Sequence, residues 1–267
     1  MTIKTAIGLM SGTSMDGIDA ALIKSDGLDH VETGPNSFFA YKKETRDLLT
    51  EALEDAKAIG ERSERPGVLK EAERAVTDLH ISAVKEFLDE NNLTRSEIDL
   101  IGFHGQTVLH RPGEAVTVQL GDGARLAKET GIATVYDLRA NDMENGGQGA
   151  PLIPVYHKAL AAGLPQSFAT QTPVVFVNIG GISNITYVDD DLVAFDTGPG
   201  NALIDQWVQK AIGIPFDQGG MIAAEGNVSL KVVERFLEND YFTRPLPKSL
   251  DRLDFNLDSL HGIGTED

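Results

Sequence analysis

Two rhythms of apolar residues alternate along the chain. Thr5–Leu9 and Ile18–Ile23 are apolar runs of strand length, separated by a glycine-bearing turn from Ser11 to Gly17. Strand, glycine turn and strand predict a β-hairpin. A polar connection over 24–35 leads to a third predicted strand, Ser37–Tyr41. The period then changes. Leu48, Leu49, Ala52, Leu53 and Ala56 recur at helical spacing, Pro66-Gly67 breaks the chain, and Val68 to Leu88 carries one long amphipathic stripe. Asn91-Asn92 closes that helix, and Thr94-Arg95-Ser96-Glu97 has the form of a capping box. Leu100–Phe103 reads as a strand with His104-Gly105-Gln106-Thr107 just past its end. Strand Ala115–Leu120, helix Asp122–Thr130 and strand Ile132–Val135 follow.

Glycine and proline crowd the stretch from Asn141 to Pro154, which marks a boundary or hinge. Beyond it come strand Pro173–Ile179, a turn at Gly180-Gly181-Ile182-Ser183, and a return strand Asn184–Val188. A third strand, Leu192–Phe195, runs into Asp196-Thr197-Gly198-Pro199-Gly200-Asn201 and a helix Ala202–Ile212. Alternation of strands and helices places the chain in the α/β class, and the hairpins imply mixed sheets. The division read here is an N-terminal domain over 1–140 and a second domain over 141–267. Both begin with an apolar strand, a Gly/Ser/Thr turn and a return strand, as a duplication would produce.

Composition narrows the function. The 267 residues carry a net charge of −18, which argues against nucleic acid, whose phosphates need clustered Lys and Arg. An anionic substrate must therefore be met by local donors. The absence of cysteine excludes disulfides, thiolate nucleophiles and cysteine metal sites. The N-terminus lacks a signal-peptide core, and the longest apolar runs are too short to span a bilayer, so no membrane partner and a cytoplasmic location are expected. The oligomeric state is not fixed, and a homodimer stays open.

Four groups of residues carry candidate chemistry. In Gly12-Thr13-Ser14-Met15-Asp16-Gly17, glycines let backbone N–H groups converge on an anion, and Thr13 and Ser14 add hydroxyls. Asp16 would hold a metal through water or brace the turn; an ordinary hairpin turn uses the same residues. The segment lacks the Gly-Lys-Ser/Thr ending of a Walker loop and opens a hairpin, so it is not a dinucleotide fingerprint. Gly180 and Gly181 form a second turn of the same type, and two nests suit a triphosphate. Asp196 is a general base, a metal ligand or a local cap, with Asn201 a helix N-cap. Finally His104, Gln106, Gln119, Asp122, Asp137, Arg139 and Gln148 suit sugar hydroxyls, an acetamido group and a carboxylate. No two histidines have ligand-type spacing, and no metal ligands are assigned.

Five strings in order, Leu9 to Asp19, Gly102 to Thr107, Gly146 to Pro154, Asn178 to Asn184 and Phe195 to Asn201, resemble the anhydro-N-acetylmuramic acid kinase family. The resemblance implies a two-domain actin/hexokinase/Hsp70-like (ribonuclease H-like) fold and a kinase of peptidoglycan recycling. Its substrate is a small amino sugar, its cofactors ATP and Mg²⁺, and its product N-acetylmuramic acid 6-phosphate. It assigns the ATP phosphates to Gly12, Thr13, Ser14, Met15, Asp16, Gly17, Ile18 and Asp19, with Gly180 and Gly181. Asp196 matches the catalytic base, and His104, Gln106, Arg139 and Gln148 match the sugar side. Other phosphotransferases or phosphatases of the superfold, and an inactive nucleotide-binding relative, are the alternatives. Glu144-Asn145 stand where smaller residues are expected. Family chains continue past Asp267, so the second domain is expected to be truncated.

Overall fold

The computed structural model describes residues 2–12, 14–165, 173–246, 248–250, 255 and 257. By contacts the chain divides into two compact units, Met1–Val155 with Ala162–Leu164, and Tyr156–Ala161 with Pro165–Asp267.

The N-terminal unit is built on a six-stranded mixed sheet. β1 (Lys4–Ser11) and β2 (Gly17–Ser25) form the expected antiparallel hairpin. β3 (Val31–Ala40) pairs with β2 at the sheet edge and is longer than Ser37–Tyr41. Its first half, with Glu32, Gly34 and Pro35, is polar because one flank and much of its surface face solvent, which erases the alternating signal. α1 (Lys43–Asp55) and α2 (Leu69–Glu90) follow the predicted stripes. Leu49, Ala52, Ala72, Val76 and Phe87 are buried against Ile7, Leu9, Ile18 and Ile101 of the sheet. The Glu97 carboxylate takes the Thr94 N–H at 2.8 Å, completing the capping box.

β4 (Leu100–Arg111) is the centre of the sheet. It runs parallel to β1 on one side. On the other it pairs first with β6 (Thr134–Tyr136), in parallel, and then with β5 (Val116–Leu120), antiparallel. The strand does not stop at Phe103. Its register against β1 moves from Leu9↔Phe103 to Ser11↔Gln106, so β4 spends one extra residue over that step. This bulge at His104-Gly105 is why the glycine reads as a strand end in the sequence. Gly105 has φ +70°, and a Cβ there would lie 2.6 Å from the Leu120 carbonyl oxygen. α3 (Gly123–Thr130) packs nearby, capped by the Asp122 side chain on the Arg125 N–H. The stretch after β6 is partly helical: α4 (Leu138–Glu144) opens on Asp137, held at φ 61°, and α5 (Pro154–Ala162) follows the glycines.

The second unit carries an antiparallel sheet of β7 (Val174–Ile179), β8 (Ile182–Val188) and β9 (Leu192–Pro199). β7 and β8 make the second expected hairpin. His157 of α5 stacks on Phe176 at 4.6 Å and bonds the buried Thr186 hydroxyl at 2.8 Å. α6 (Asn201–Ile212) follows β9. After the short helix α7 (Met221–Glu225), α8 (Leu230–Leu237) brings Phe236 to an aromatic cluster with Phe242 and Phe255. Tyr241 joins the same cluster.

Two predictions concern the core. His80 of α2 is fully buried, stacked edge-on to Phe103 at 4.8 Å, with Nδ1 donating to the Val76 carbonyl at 2.7 Å and Nε2 without a partner among the described residues. Burial pushes its pKa down to about 4, below the unfolded value, so the unfolded chain takes the proton first. Stability is full above pH ~6.5 and falls as pH drops toward ~4, by an amount on the order of 3 kcal/mol. His80→Leu should flatten that acid loss in urea unfolding at pH 7 and pH 4.5; equal losses in both proteins would refute the role. Gly105→Ala should cost roughly 2–4 kcal/mol, through the left-handed φ and the Leu120 clash. Gly102→Ala, whose Cβ meets nothing within 4 Å, serves as its near-neutral control in the same thermal melts.

Candidate active site

The turn between β1 and β2 begins at Gly12, whose carbonyl accepts the Met15 N–H at 3.1 Å. Met15 takes the left-handed φ of 54° that closes the turn; Gly12 does not. Ser14 Oγ donates to Asp16 Oδ1 at 2.7 Å, and the Asp16 carbonyl accepts the Tyr41 N–H at 2.7 Å. A Cβ on Gly12 would meet only Ser14 within 4 Å among the described residues, so this side of the backbone is open to close approach. Gly17 is the reverse: a Cβ there would lie 2.4 Å from the Phe39 carbonyl oxygen and 2.7 Å from the Phe38 ring. Ile18 is buried in the core. Asp19 is exposed on β2, and its carboxyl is raised above its ordinary range by partial burial and then by the Asp16 charge. Thr13 lies outside the described residues.

Gln106 follows the β4 bulge and turns inward. It is 1% exposed, and its Nε2 donates to the Gly12 carbonyl at 3.0 Å. The structure thus places Gln106 on the turn, with Oε1 buried and without a partner among the described residues. His104, one residue before Gly105, faces the other way. Nδ1 donates to the Gly105 carbonyl at 2.6 Å, and Nε2 accepts from Arg139 Nε of α4 at 3.0 Å. Burial, and then the Arg139 charge, hold the imidazole below its ordinary pKa, so it is neutral at pH 7. Arg139 also donates Nη1 to the Gly149 carbonyl at 3.1 Å, and Asp142 Oδ2 accepts the Gly149 N–H at 2.8 Å. Gln148 is exposed beside this loop.

A cavity of about 460 Å³ opens along the same strands, lined among others by Phe103, His104, Gln119, Tyr136, Asp137 and Arg62. Arg62 pairs with Asp137 and donates Nε to the Thr117 carbonyl at 3.2 Å. Gln119 is pinned to Thr117 Oγ1 at 2.8 Å. Phe103 and Tyr136 are register partners at the end of the parallel β4–β6 pairing, with Tyr136 at the carboxyl end of β6, where ligands collect in α/β sheets. Sequence reasoning names His104, Gln119 and Asp137 here but misses Arg62. Arg62 comes from a loop after α1 with no motif of its own, and only the folded pairing with Asp137 reveals it. Asp122, grouped with these residues by sequence, is instead the α3 cap.

In the second unit Asp196 sits within β9, not in a turn, and caps no helix. The β8–β9 register steps from Asn184↔Asp196 to Ser183↔Gly198, leaving Thr197 as a bulge immediately after it. One Asp196 oxygen, Oδ2, accepts the Leu250 N–H at 2.8 Å; the other has no partner among the described residues. The Asp196 carbonyl accepts the Tyr241 hydroxyl at 2.6 Å, and its N–H donates to the Lys248 carbonyl at 3.1 Å. Burial raises the carboxyl above its ordinary range, opposed by the Leu250 N–H. Gly180 and Gly181 turn their carbonyls to the start of α6: Asn201 N–H donates to Gly180 at 2.7 Å and Gly200 N–H to Gly181 at 2.9 Å. Gly200, not Asn201, is the N-cap residue of α6. Among the described residues no three His, Asp or Glu side chains are grouped to hold a metal ion, and no helix is long and apolar enough to cross a membrane.

The family model for anhydro-N-acetylmuramic acid kinase matches residues 4–263. A protein of that name from Agrobacterium fabrum is 58% identical over 95% of this chain and 68% of its own length. Relatives of the same name from Brucella canis (56%, the same coverage) and Rhodopseudomonas palustris (52%, over 94% of this chain and 68% of the relative) agree. YeaZ from Pseudomonas aeruginosa, a solved structure, aligns with 97% of this chain and 91% of its own at 13% identity and a TM-score of 0.27, an overlap too loose to compare residues.

Proposed function

This chain belongs to the anhydro-N-acetylmuramic acid kinase family, a branch of the actin/hexokinase-like ATPase superfold, and we propose that Asp196 is the general base of its reaction. The chain is a sugar kinase: it opens the internal anhydro bond of 1,6-anhydro-N-acetylmuramic acid and phosphorylates the freed oxygen, a step of peptidoglycan recycling. ATP is the phosphoryl donor in our reading, and the location cytoplasmic. The observation that carries the role of Asp196 is its environment: a half-buried carboxylate with one oxygen tied to Leu250, the other unpartnered, and a pKa raised by burial.

The chemistry follows from that placement. Water attacks the anomeric carbon, and its proton passes to the unpartnered Asp196 oxygen. The bond from the anomeric carbon to the bridging oxygen breaks, that oxygen bonds to the γ-phosphorus, and the bond from phosphorus to the departing ADP oxygen breaks. One atom is both leaving group and phosphoryl acceptor, so the second carboxylic acid of an inverting glycosidase is not required. A base raised toward neutral pH is the stronger proton acceptor, while enough remains ionised to act. His104, Arg139 and Gln148 lie on the sugar side in our reading. Gln106, expected on the sugar side, bears instead on the β1–β2 turn through the Gly12 carbonyl it holds.

For the phosphates, the open side of Gly12 is the fitting feature, and Ser14 braces Asp16 beneath it. Asp16 and Asp19 suit Mg²⁺: the Asp19 carboxyl is raised by burial and then by the Asp16 charge, a divalent cation would relieve that second effect, and two carboxylates plus phosphate oxygens are a usual Mg²⁺ donor set. When bound, the ion would neutralise charge on the transferring phosphoryl group. In the second unit, Gly180 and Gly181 are the residues we assign to phosphate contacts.

Gly12→Val should fold, because Gly12 is not left-handed and its Cβ meets only Ser14, at 3.4 Å for the hydroxyl. Its ATP affinity should fall about ten-fold or more, since losing hydrogen bonds to a charged group costs that much. Calorimetric titration, with circular dichroism as the folding control, checks this; wild-type affinity would remove Gly12 from the nest.

Asp196→Asn should lower turnover by about 10²–10⁴-fold with small changes in ATP and sugar affinity. The amide still accepts from Leu250. Because burial disfavours the charged form, the melting temperature at pH 7 should hold or rise. In the wild type, kcat should drop as pH falls through the raised Asp196 pKa, since the protonated acid cannot accept the proton. Turnover near that of the wild type in the variant, or a large loss of stability matching the lost activity, would sink the assignment.

A further inference from the structure

Arg139 differs from the other arginines near the cavity. Arg62 and Arg65 each face a carboxylate, Asp137 and Glu73. Arg139 is half-buried, and among the described residues it has no carboxylate partner. Its two hydrogen bonds go to neutral acceptors, the His104 ring and the Gly149 carbonyl, which orient the charge without cancelling it. A partly desolvated guanidinium with no counter-charge is a receptor for an anion. In a chain of net charge −18, an acidic ligand needs one.

The bonds of His104 fix how that receptor is aimed. The Gly105 carbonyl, 2.6 Å from Nδ1, has no proton to give, so the ring proton lies on Nδ1. Nε2 then holds a lone pair, which takes the Arg139 Nε–H. We infer that His104 is a positioning residue, whose neutral imidazole aims the Arg139 guanidinium at the carboxylate of an acidic amino sugar. The inference rests on the proposed reaction with a muramic acid derivative, whose lactyl ether carries that carboxylate.

Protonation of His104 would set two N–H donors against each other, so the charged ring and the aimed guanidinium exclude one another. The titratable and charged groups facing the ring are Arg139 from α4, His80 from α2, and Glu61, Arg62, Arg65 and Asp137 lining the same cavity; His110 of β4 feels the same Arg139 charge. Arg139 disfavours a charged His104, burial holds His80 and His110 below their ordinary pKa, Asp137 is paired with Arg62, and Glu61 is the other carboxylate of the lining. Affinity for the acidic sugar should therefore fall as pH drops through the His104 pKa, which burial and the Arg139 charge hold below the ordinary histidine value.

The test compares 1,6-anhydro-N-acetylmuramic acid with 1,6-anhydro-N-acetylglucosamine, which lacks the lactyl carboxylate. KM and calorimetric Kd are measured for the wild type, His104→Leu and His104→Gln. His104→Leu should weaken the acidic sugar about ten-fold and the carboxylate-free sugar by less than about two-fold. His104→Gln offers an amide oxygen to Arg139. It should recover most of that loss and lack the wild-type decline in affinity that accompanies protonation of His104 at acid pH. Equal weakening of both sugars in His104→Leu, or no recovery in His104→Gln, overturns the inference. NMR titration of the His104 ring is the second measurement: Arg139→Leu should raise its pKa, and an unchanged value overturns the clamp. A wild-type chain that phosphorylates neither sugar overturns the proposed function, and the imidazole titration then decides the clamp alone.

Discussion

The arrangement of the N-terminal unit depends on the backbone of Gly105. The residue sits at φ +70° with the Leu120 carbonyl oxygen 2.6 Å from where a Cβ would be, so any side chain is strained there. Its carbonyl accepts the Ser11 hydroxyl from β1 at 3.3 Å and the His104 ring at 2.6 Å. The bulge it creates reverses the facing of its neighbours. His104 turns toward Arg139, while Gln106 is buried and holds the Gly12 carbonyl at 3.0 Å. One glycine therefore sets the entry to the β1–β2 turn and the orientation of the Arg139 guanidinium. Without the bulge, the alternation of β4 would send Gln106 to the same face as His104.

The second unit solves a similar problem by similar means. Thr197 is the extra residue of β9, and its hydroxyl donates to the Ser183 carbonyl at 3.1 Å, so the bulge is tied down. Asp196, just before it, has its carbonyl on the Tyr241 hydroxyl and its N–H on Lys248. Lys248 is itself committed: its ammonium donates to the Tyr241 carbonyl at 2.9 Å and lies 4.6 Å above the Tyr241 ring. The lysine close in the chain to the Asp196 contacts thus neutralises no carboxylate there. That leaves burial as the main influence on Asp196 and explains why its pKa moves up.

Much of this was legible in the sequence where one physical signal dominated. The helical stripes of α1 and α2, both hairpins and the capping box at Thr94 follow from periodicity and turn chemistry alone. The failures share a cause. At β4 and β9 the sequence places strand ends at Phe103 and Phe195, because a polar residue and a glycine interrupt the apolar run. Both strands continue, and the interruption is a bulge beside the candidate residues. β3 was shortened because an edge strand needs no apolar face. α4 was hidden by the glycines after it and by Asp137, whose left-handed φ no propensity scale anticipates. Residue types near the site were readable, but their directions were not. Gln106 and His104 look alike in sequence, yet one braces a turn and the other an arginine.

Charge placement ties these observations together. A chain of net charge −18 attracts no anion over distance, so whatever binds a phosphorylated or acidic ligand must act within a few ångströms. The N-terminal unit meets that requirement by withholding counter-charges selectively. Arg62 and Arg65 are paired with Asp137 and Glu73 and shape the loop beside the cavity. Arg139 is given only a carbonyl and a neutral imidazole. Placing a carboxylate at position 104 would bind Arg139 more strongly, but it would also cancel the charge and leave nothing for a ligand. A histidine kept neutral by burial and by the arginine itself fixes direction at no cost in charge. Gly105 makes that choice possible, because its carbonyl holds the ring proton on Nδ1 and so keeps the other nitrogen free to accept.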